Sequence, residues 1–383
     1  MPPFAVPPAP TFPPPLSLYI HWPWCVRKCP YCDFNSHEAP PQEAAWLDAL
    51  LRDLEAALPL IWGRPIVSVF IGGGTPSLMS GATVAALLAA LRARLRLLPE
   101  AEITLEANPG TAEAARFAAY AEAGVTRLSL GIQSFADEKL AALGRIHTGG
   151  QAKRAIEFAR RHFARLNLDL MYGLPGQTLA EAERDIEQAI ATGAGHISAY
   201  HLTIEPNTAF FHAPPPLPDE DLAAEMQERI EAALGAAGFE HYETSAFARR
   251  GERCAHNLNY WTFGDYLGLG PGAHSKLSDP TGIRREARPK HPKDYLADPI
   301  TRRWQAVRPE DLPGEFMMNA LRLTEGVPLA LFAERTGLPL AALEKSALAA
   351  RQQGLLEIEG GRLRPTPLGR RFLNRLIALF LDA

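Results

Sequence analysis

Cysteine is scarce in this chain. There are four in 383 residues, and three of them, Cys25, Cys29 and Cys32, fall in one short segment far from Cys254. A disulfide framework disperses its cysteines in pairs, so a cross-linked secreted scaffold is excluded. Long apolar runs are missing too. Nothing approaches the roughly 18 apolar residues a membrane-spanning helix needs, the nearest candidate being 376–381. Nor is there an excess of one charge: 39 Lys and Arg face 43 Asp and Glu, a net of −4, so no global attraction for polyanions exists and nucleic acid is not an expected partner. The N-terminus carries no basic and apolar leader. It holds eight prolines in residues 1–15 instead, which reads as an unstructured or polyproline-like arm on a cytoplasmic protein. With 47% apolar and 21% charged residues, the remainder has an ordinary globular composition and length enough for more than one domain.

What is present is a rhythm. Short β-rich runs at 17–21, 66–71, 102–106, 127–132, 166–171 and 196–202 alternate with segments of helical period, among them 42–58, 82–97, 112–123 and 179–191. Such α/β alternation predicts parallel strands with helical crossovers. Six units imply a partial (β/α)6 TIM-like barrel over 16–215, with its chemistry in the loops that follow the strands. Prolines 214–216 and 218 interrupt this pattern. A helix over 220–235 then opens a helical and loop-rich extension, 216–308, in which turn residues dominate. Helical patterns at 315–323, 329–335 and 340–353, a hairpin at 355–363 turning on Gly360 and Gly361, and a last amphipathic helix predict a winged-helix-like α+β domain over 309–383. The helix from Leu340 has no basic stripe, so this domain reads as a packing unit rather than a DNA reader.

The three clustered cysteines follow the first predicted strand, where a barrel places its active-site loops. Thiolates select soft or iron–sulfur centres, and three ligands leave one iron of a cubane open to a chelating molecule. Structural zinc is the alternative, but it ordinarily takes four ligands and no fourth lies nearby. After the second strand comes Gly72-Gly73-Gly74-Thr75-Pro76, a turn whose backbone can approach a ligand closely and offer its polar groups to an amino acid. A plain tight loop is the competing reading. Glu106, Gln133 and Asp169 sit at the ends of later strands, where polar side chains face a barrel mouth, although capping or structural pairing would also place them there.

The C-x3-C-x2-C spacing in Cys25-Val-Arg-Lys-Cys29-Pro-Tyr-Cys32 resembles the signature of the radical S-adenosylmethionine superfamily. That resemblance implies a [4Fe–4S] cluster on Cys25, Cys29 and Cys32, with S-adenosylmethionine chelating the fourth iron and its methionine end at Gly73, Gly74 and Thr75. Tyr19, Tyr31, Glu106, Gln133, Arg145 and Asp169 match residues that the oxygen-independent coproporphyrinogen III oxidase family places around S-adenosylmethionine. The similarity runs from about residue 16 to the end of the chain. The oxidases carry a further cysteine two positions after the third, where this chain has Phe34. His256-Asn257-Leu258-Asn259-Tyr260-Trp261 resembles instead the HNxxYW motif of the heme-chaperone branch, HemW. A histidine in a flexible loop is a candidate axial ligand, and Tyr260 and Trp261 offer flat apolar faces to a porphyrin. Ordinary packing is the plainer account of these three residues, and Cys254 reads as a buried thiol.

The resemblance therefore implies a heme chaperone that delivers heme to respiratory enzymes and takes electrons for its cluster from a donor. Radical decarboxylation of coproporphyrinogen propionates is the rival, and radical modification of another macromolecule a third reading. Two patches complete the inventory. Arg284, Arg285, Arg288, Lys290, Lys293, Arg302 and Arg303 are expected to form a solvated basic loop, with heme propionates or an acidic partner as the functional alternative. The segment 370–381 sets Phe372, Leu373, Leu376, Ile377 and Phe380 against Arg370, Arg371 and Arg375; core packing is expected, with peripheral membrane contact as the alternative.

Overall fold

The structure is a computed structural model that describes residues 13–110 and 115–381. The expected proline arm lies outside the described residues as far as residue 12. So does the start of the helix expected over 112–123, of which Phe117–Ala123 is seen.

The six expected strands are present: β1 (Leu16–Trp22), β2 (Pro65–Gly73), β3 (Arg96–Ala107), β4 (Arg127–Gln133), β5 (Arg165–Tyr172) and β6 (His196–His201). They lie side by side in chain order and parallel. Helices α1 (Glu43–Ile61), α2 (Gly81–Arg94), α3 (Phe117–Ala123), α4 (Gly149–His162) and α5 (Leu179–Ala191) make the crossovers. Both α4 and α5 start on a capping box, Thr148 with Gln151 and Thr178 with Glu181, which satisfies the first free N–H groups.

A strand sends successive side chains to opposite faces. One set, including Leu18, Ile20, Val69, Ile71, Leu105, Leu130 and Leu168, joins Leu50, Leu87, Ile156 and Ile186 of the helices in the main apolar core. The alternate set is polar and equally buried: Ser17, Ser68, Glu102, Thr104, Arg127, Ser129, Asn167 and His196. The barrel interior is thus a network of hydrogen bonds rather than a layer of aliphatic residues.

Residues 216–308, expected as helical and loop-rich, add α6 (Glu220–Ala236) and six of the 12 strands in the sheet. β7 (Glu240–Glu243) and β8 (Ala246–Ala248) extend the edge at β6 with antiparallel pairing. After α7 (Ala255–Trp261), β9 (Asp265–Leu269) joins the free side of β1 as a seventh parallel strand. β10 (His274–Asp279), β11 (Gly282–Ala287) and β12 (Gln305–Ala306) continue outward from β9. Of the missed strands, β9 and β10 carry buried charges that pair with one another, which hides the apolar alternation that marks a strand. Lys276 Nζ lies 2.9 Å from Asp265 Oδ1, and Asp265 also holds Arg64 at 2.9 Å.

The expected solvated basic loop is corrected in the same way. Arg288 and Arg302 both reach Asp53 of α1 and Glu286 of β11, while Arg284 pairs with Asp279 and Arg285 with Glu315. Only Lys290, Lys293 and Arg303 of that set are exposed.

A second apolar core holds Phe316, Phe332, Leu343, Leu363, Leu376 and Phe380. It is built by α8 (Leu312–Ala320), α9 (Leu329–Thr336), α10 (Ala341–Gln352) and α11 (Leu373–Leu381) around a three-stranded sheet, β13 (Val327–Pro328), β14 (Leu356–Glu359) and β15 (Arg362–Pro365). Helix α11 turns Leu376 and Phe380 into this core, so the apolar side considered for membrane contact is largely taken up by packing. Among the described residues no helix is long and apolar enough to cross a membrane.

Asp53 is fully buried and balances two arginines, and its phenolic neighbour Tyr295 donates to it at 2.8 Å. Removing one partner strands buried charge, which costs about 3–5 kcal/mol. Asp53→Ala is therefore expected to lower the unfolding free energy by that amount, read as a reduced midpoint in urea unfolding.

Candidate functional site

The cysteine segment is anchored by tryptophan. Trp22, Trp24 and Trp46 are all buried, with ring centroids 4.9 and 5.1 Å apart in edge-to-face contact, and Trp46 Nε1 donates to the His21 carbonyl at 3.1 Å. Beyond this cluster a two-residue strand, Trp24–Cys25, pairs with His37–Glu38 and bounds the loop that carries the cysteines. Cys32 N–H donates to the Cys29 carbonyl at 3.1 Å, which makes the turn.

The glycine turn lies directly against this segment. Gly74 N–H donates to the Trp22 carbonyl at 2.6 Å and Thr75 N–H to the Trp24 carbonyl at 2.8 Å. A Cβ on Gly74 would stand 2.5 Å from the Trp24 carbonyl oxygen, so backbone meets backbone with no room for a side chain. Gly73 has φ of +114°, a left-handed conformation that favours glycine. Thr75 Oγ1 donates to Cys25 Sγ at 3.4 Å.

Both loops open onto a cavity of about 800 Å³ at the ends of the strands. Cys25, Cys29, Tyr31, Cys32, Gly73, Gly74, Thr75, Glu106, Gln133, Arg145, Asp169 and Trp261 all line it, so the structure brings together most of the residues singled out by sequence. Tyr19, His256 and Tyr260 do not. Tyr19 hydrogen-bonds His21 Nδ1 at 3.0 Å. His256 is not in a flexible loop; it belongs to α7, is 2% exposed, and packs its ring on Phe70 and Tyr260 with centroids 5.0 and 4.9 Å away. Its Nδ1 meets Ser68 Oγ at 3.0 Å while its Nε2 is buried with no partner. Burial holds the imidazole neutral, pushing its pKa down to about 3. Cys254 is a buried thiol whose pKa burial pushes up to about 12, and Sγ donates to Glu102 Oε1 at 3.4 Å.

Two buried acids and an arginine set the electrostatics of the cavity. Burial, with the neighbouring Asp169 charge adding to it, pushes the Glu106 carboxyl up to about 8, although Gly73 N–H donates to Oε2 at 3.1 Å. Asp169 is also raised by burial, against hydrogen bonds from Asn167, Ser129 and Ser198. Arg145 stands close by, with Nη2 on Asn108 Oδ1 at 2.6 Å and the Gly131 carbonyl at 2.9 Å, Nη1 at 3.6 Å from Cys29 Sγ, and Nε buried without a partner. Gln133 takes φ of +66° at a break in the β4–β5 register, and its Oε1 accepts from Tyr200 at 2.7 Å. Positive φ is a costly conformation for a non-glycine residue, and here it coincides with the break in the strand register.

These residues fit the implied cofactors. The thiols are free, and burial raises those of Cys25 and Cys32, a cost that binding iron as thiolates would reverse. Among the described residues no three His, Cys, Asp or Glu side chains converge as ligands of a single ion. Two buried carboxyls, an arginine and a glycine turn supply complementary partners for the ammonium and carboxylate of an amino acid. Reading by sequence missed Asn108, Ser129, Ser198 and Tyr200, which also line the cavity. The period-two alternation of β4 and β6 would have found the last three.

A parallel barrel with a three-cysteine loop after its first strand and a glycine turn after its second defines a radical S-adenosylmethionine protein. In agreement, the Radical SAM superfamily profile matches residues 19–189 and the HemN C-terminal domain profile residues 307–372. The chain is 49% identical to heme chaperone HemW of Haemophilus influenzae over 96% of its own length and 98% of that protein's, and equally identical, at the same coverages, to HemW of Escherichia coli. It belongs to the HemW family. Its fold is also that of the Escherichia coli coproporphyrinogen III oxidase HemN, a radical SAM enzyme, with a TM-score of 0.82 at 23% identity over 96% of this chain and 90% of that one.

Gly74→Ala forces the two loops apart and is expected to lower the iron bound per chain after anaerobic reconstitution several-fold, with the fold retained by circular dichroism. For Glu106, a carboxyl that keeps its proton to about pH 8 when folded, against an ordinary value of 4.5, makes the native state the greater proton binder between those values. Its share of stability is full below the unfolded value and is lost as pH rises through 8. Glu106→Gln should flatten the fall of the urea midpoint between about pH 5 and 8 in cofactor-free protein; an unchanged slope would assign that fall to other groups.

Proposed function

We propose that this chain binds heme and hands it to heme-requiring proteins of the respiratory chain, in the cytosol, with a [4Fe–4S] cluster and S-adenosylmethionine as resident cofactors. The observation that carries the reading is the 49% identity to heme chaperones over almost the whole of both chains. When bound, the cluster and S-adenosylmethionine supply one-electron chemistry. Cys25, Cys29 and Cys32 hold the iron. Gly73, Gly74 and Thr75 let the backbone approach the amino-acid end of the cofactor, Glu106 and Asp169 favour its positive charge, and Arg145 its carboxylate. Tyr31 and Gln133 wall the same space, and Tyr19 supports it from outside the cavity lining.

His256 keeps a neutral ring nitrogen with no partner, which is the chemistry of an axial ligand in waiting. The ring is enclosed and stands outside the lining of the cavity, so an axial role for it would require the packing around His256 to open. Trp261, on the same helix, already faces the cavity. Phe34, 59% exposed at the position where the oxidases carry a cysteine, disfavours the decarboxylase reading.

The test is anaerobic reconstitution followed by heme titration, with the Soret band and the heme retained through gel filtration as readouts. Near-stoichiometric retention is expected for wild type, with several-fold less for His256→Ala. Coproporphyrinogen III should remain unconverted in an anaerobic assay with reductant and S-adenosylmethionine. Appearance of protoporphyrinogen IX there, with no heme retained, would establish the oxidase reading in its place.

A further inference from the structure

The cavity is not confined to the barrel. Part of its wall comes from the turn between β7 and β8, from Trp261 at the end of α7, and from two arginines of the C-terminal domain, Arg322 just after α8 and Arg370 in the short helix Pro367–Arg371. Arg322 lies 4.7 Å over the Trp261 ring. Neither guanidinium has a carboxylate oxygen within 4.0 Å among the described residues, whereas neighbouring arginines are paired: Arg371 with Glu228, Arg285 with Glu315, Arg364 with Glu357. The indole Nε1 of Trp261 is buried and has no hydrogen-bond partner.

We propose that this end of the cavity, formed by Trp261, Arg322 and Arg370, receives the propionate carboxylates of bound heme, with the edge of the porphyrin lying on the Trp261 indole. The inference rests on the heme-chaperone reading and deepens it. A guanidinium presents a planar fork of donors that matches a carboxylate, and charge-assisted bonds of this kind are the strong ones. Two guanidiniums with no carboxylate oxygen in ion-pair reach at one end of a cavity, beside an indole ring, suit a flat ligand bearing two carboxylates. The size of the cavity is within the range of sites that enclose ligands of this bulk. Glu243 lines the same end and its carboxyl is pushed up to about 7 by burial, with Arg322 opposing, so near neutrality it carries only part of a negative charge against an incoming propionate. The basic segment 284–303, the other candidate for this task, has its buried guanidiniums already committed to Asp53 and Glu286.

The test compares heme with heme dimethyl ester, in which both propionates are blocked, on reconstituted full-length protein. Wild type is expected to bind heme about tenfold to a hundredfold more tightly than the ester, the range that charge-assisted bonds supply. Arg322→Gln and Arg370→Gln should each narrow that gap, and the double variant should bind heme and ester alike, with ester affinity close to that of wild type. Arg322→Lys should recover part of the preference. Because neither arginine makes an ion pair in the structure, urea midpoints should stay near wild type. Heme binding by the folded double variant that equals wild type overturns the propionate assignment alone. Failure of wild type to bind heme in any form overturns both this assignment and the chaperone reading.

Discussion

The site depends on a contact in which side chains take no part. The β2 end at Gly73 and Gly74 lies so close to the backbone of Trp22–Trp24 that hydrogen bonds of 2.6 and 2.8 Å form between the two segments. Everything above that contact inherits its position: Thr75 reaches Cys25, Glu106 reaches the Gly73 amide, and the cysteine loop is held over the strand ends. Three buried tryptophans stiffen the segment from below. A loop of eight residues bearing three thiols has little core of its own; here its rigidity is borrowed from two strand ends that only glycine allows to touch.

The barrel interior divides into two levels with opposite chemistry. Toward the strand starts the polar groups answer one another: Glu102 with Arg165 at 2.8 Å, His196 with Asn167 at 2.6 Å and with Tyr242 at 2.8 Å. Toward the strand ends hydrogen bonds persist, Ser129 and Asn167 on Asp169 and Gly73 N–H on Glu106, but the charges are not balanced. Glu106 and Asp169 face each other as buried acids, and Arg145 keeps one nitrogen unpartnered. A satisfied network stabilises a fold, whereas an unsatisfied one costs free energy that a complementary ligand returns. The lower level is not complete either: His256 Nε2 and Thr104 Oγ1 are buried there without a hydrogen-bond partner.

The six barrel strands and the cysteine and glycine loops were legible because each has a local signal: alternation or apolar runs bounded by turns, close spacing of a rare residue, three glycines in a row. The seventh strand, Asp265–Leu269, was not. Its outward signal is diluted by Asp265, buried only because Lys276 and Arg64, far apart in sequence, close on it. Arg288 misleads for the same reason, since a sequence shows its charge and not the two carboxylates that bury it. His256 read as a loop residue because a seven-residue helix ending at Trp261 is too short for periodicity to register. Arg322 had no local signal, and Arg370 read only as the basic side of a terminal amphipathic segment; the docking of the C-terminal domain makes them part of a cavity that begins at Cys25.

That span has a consequence for how the protein is made. Chains are synthesised from the N-terminus, and segments acquire structure in that order. The residues expected to hold the cofactors, from Cys25 to Asp169, all leave the ribosome before the first residue of the C-terminal domain is joined. The wall that carries Arg322 and Arg370 is finished last. Vectorial synthesis therefore builds the redox half of the site before the half that would hold cargo, and a nascent chain has no enclosed space for a porphyrin until its final domain has docked.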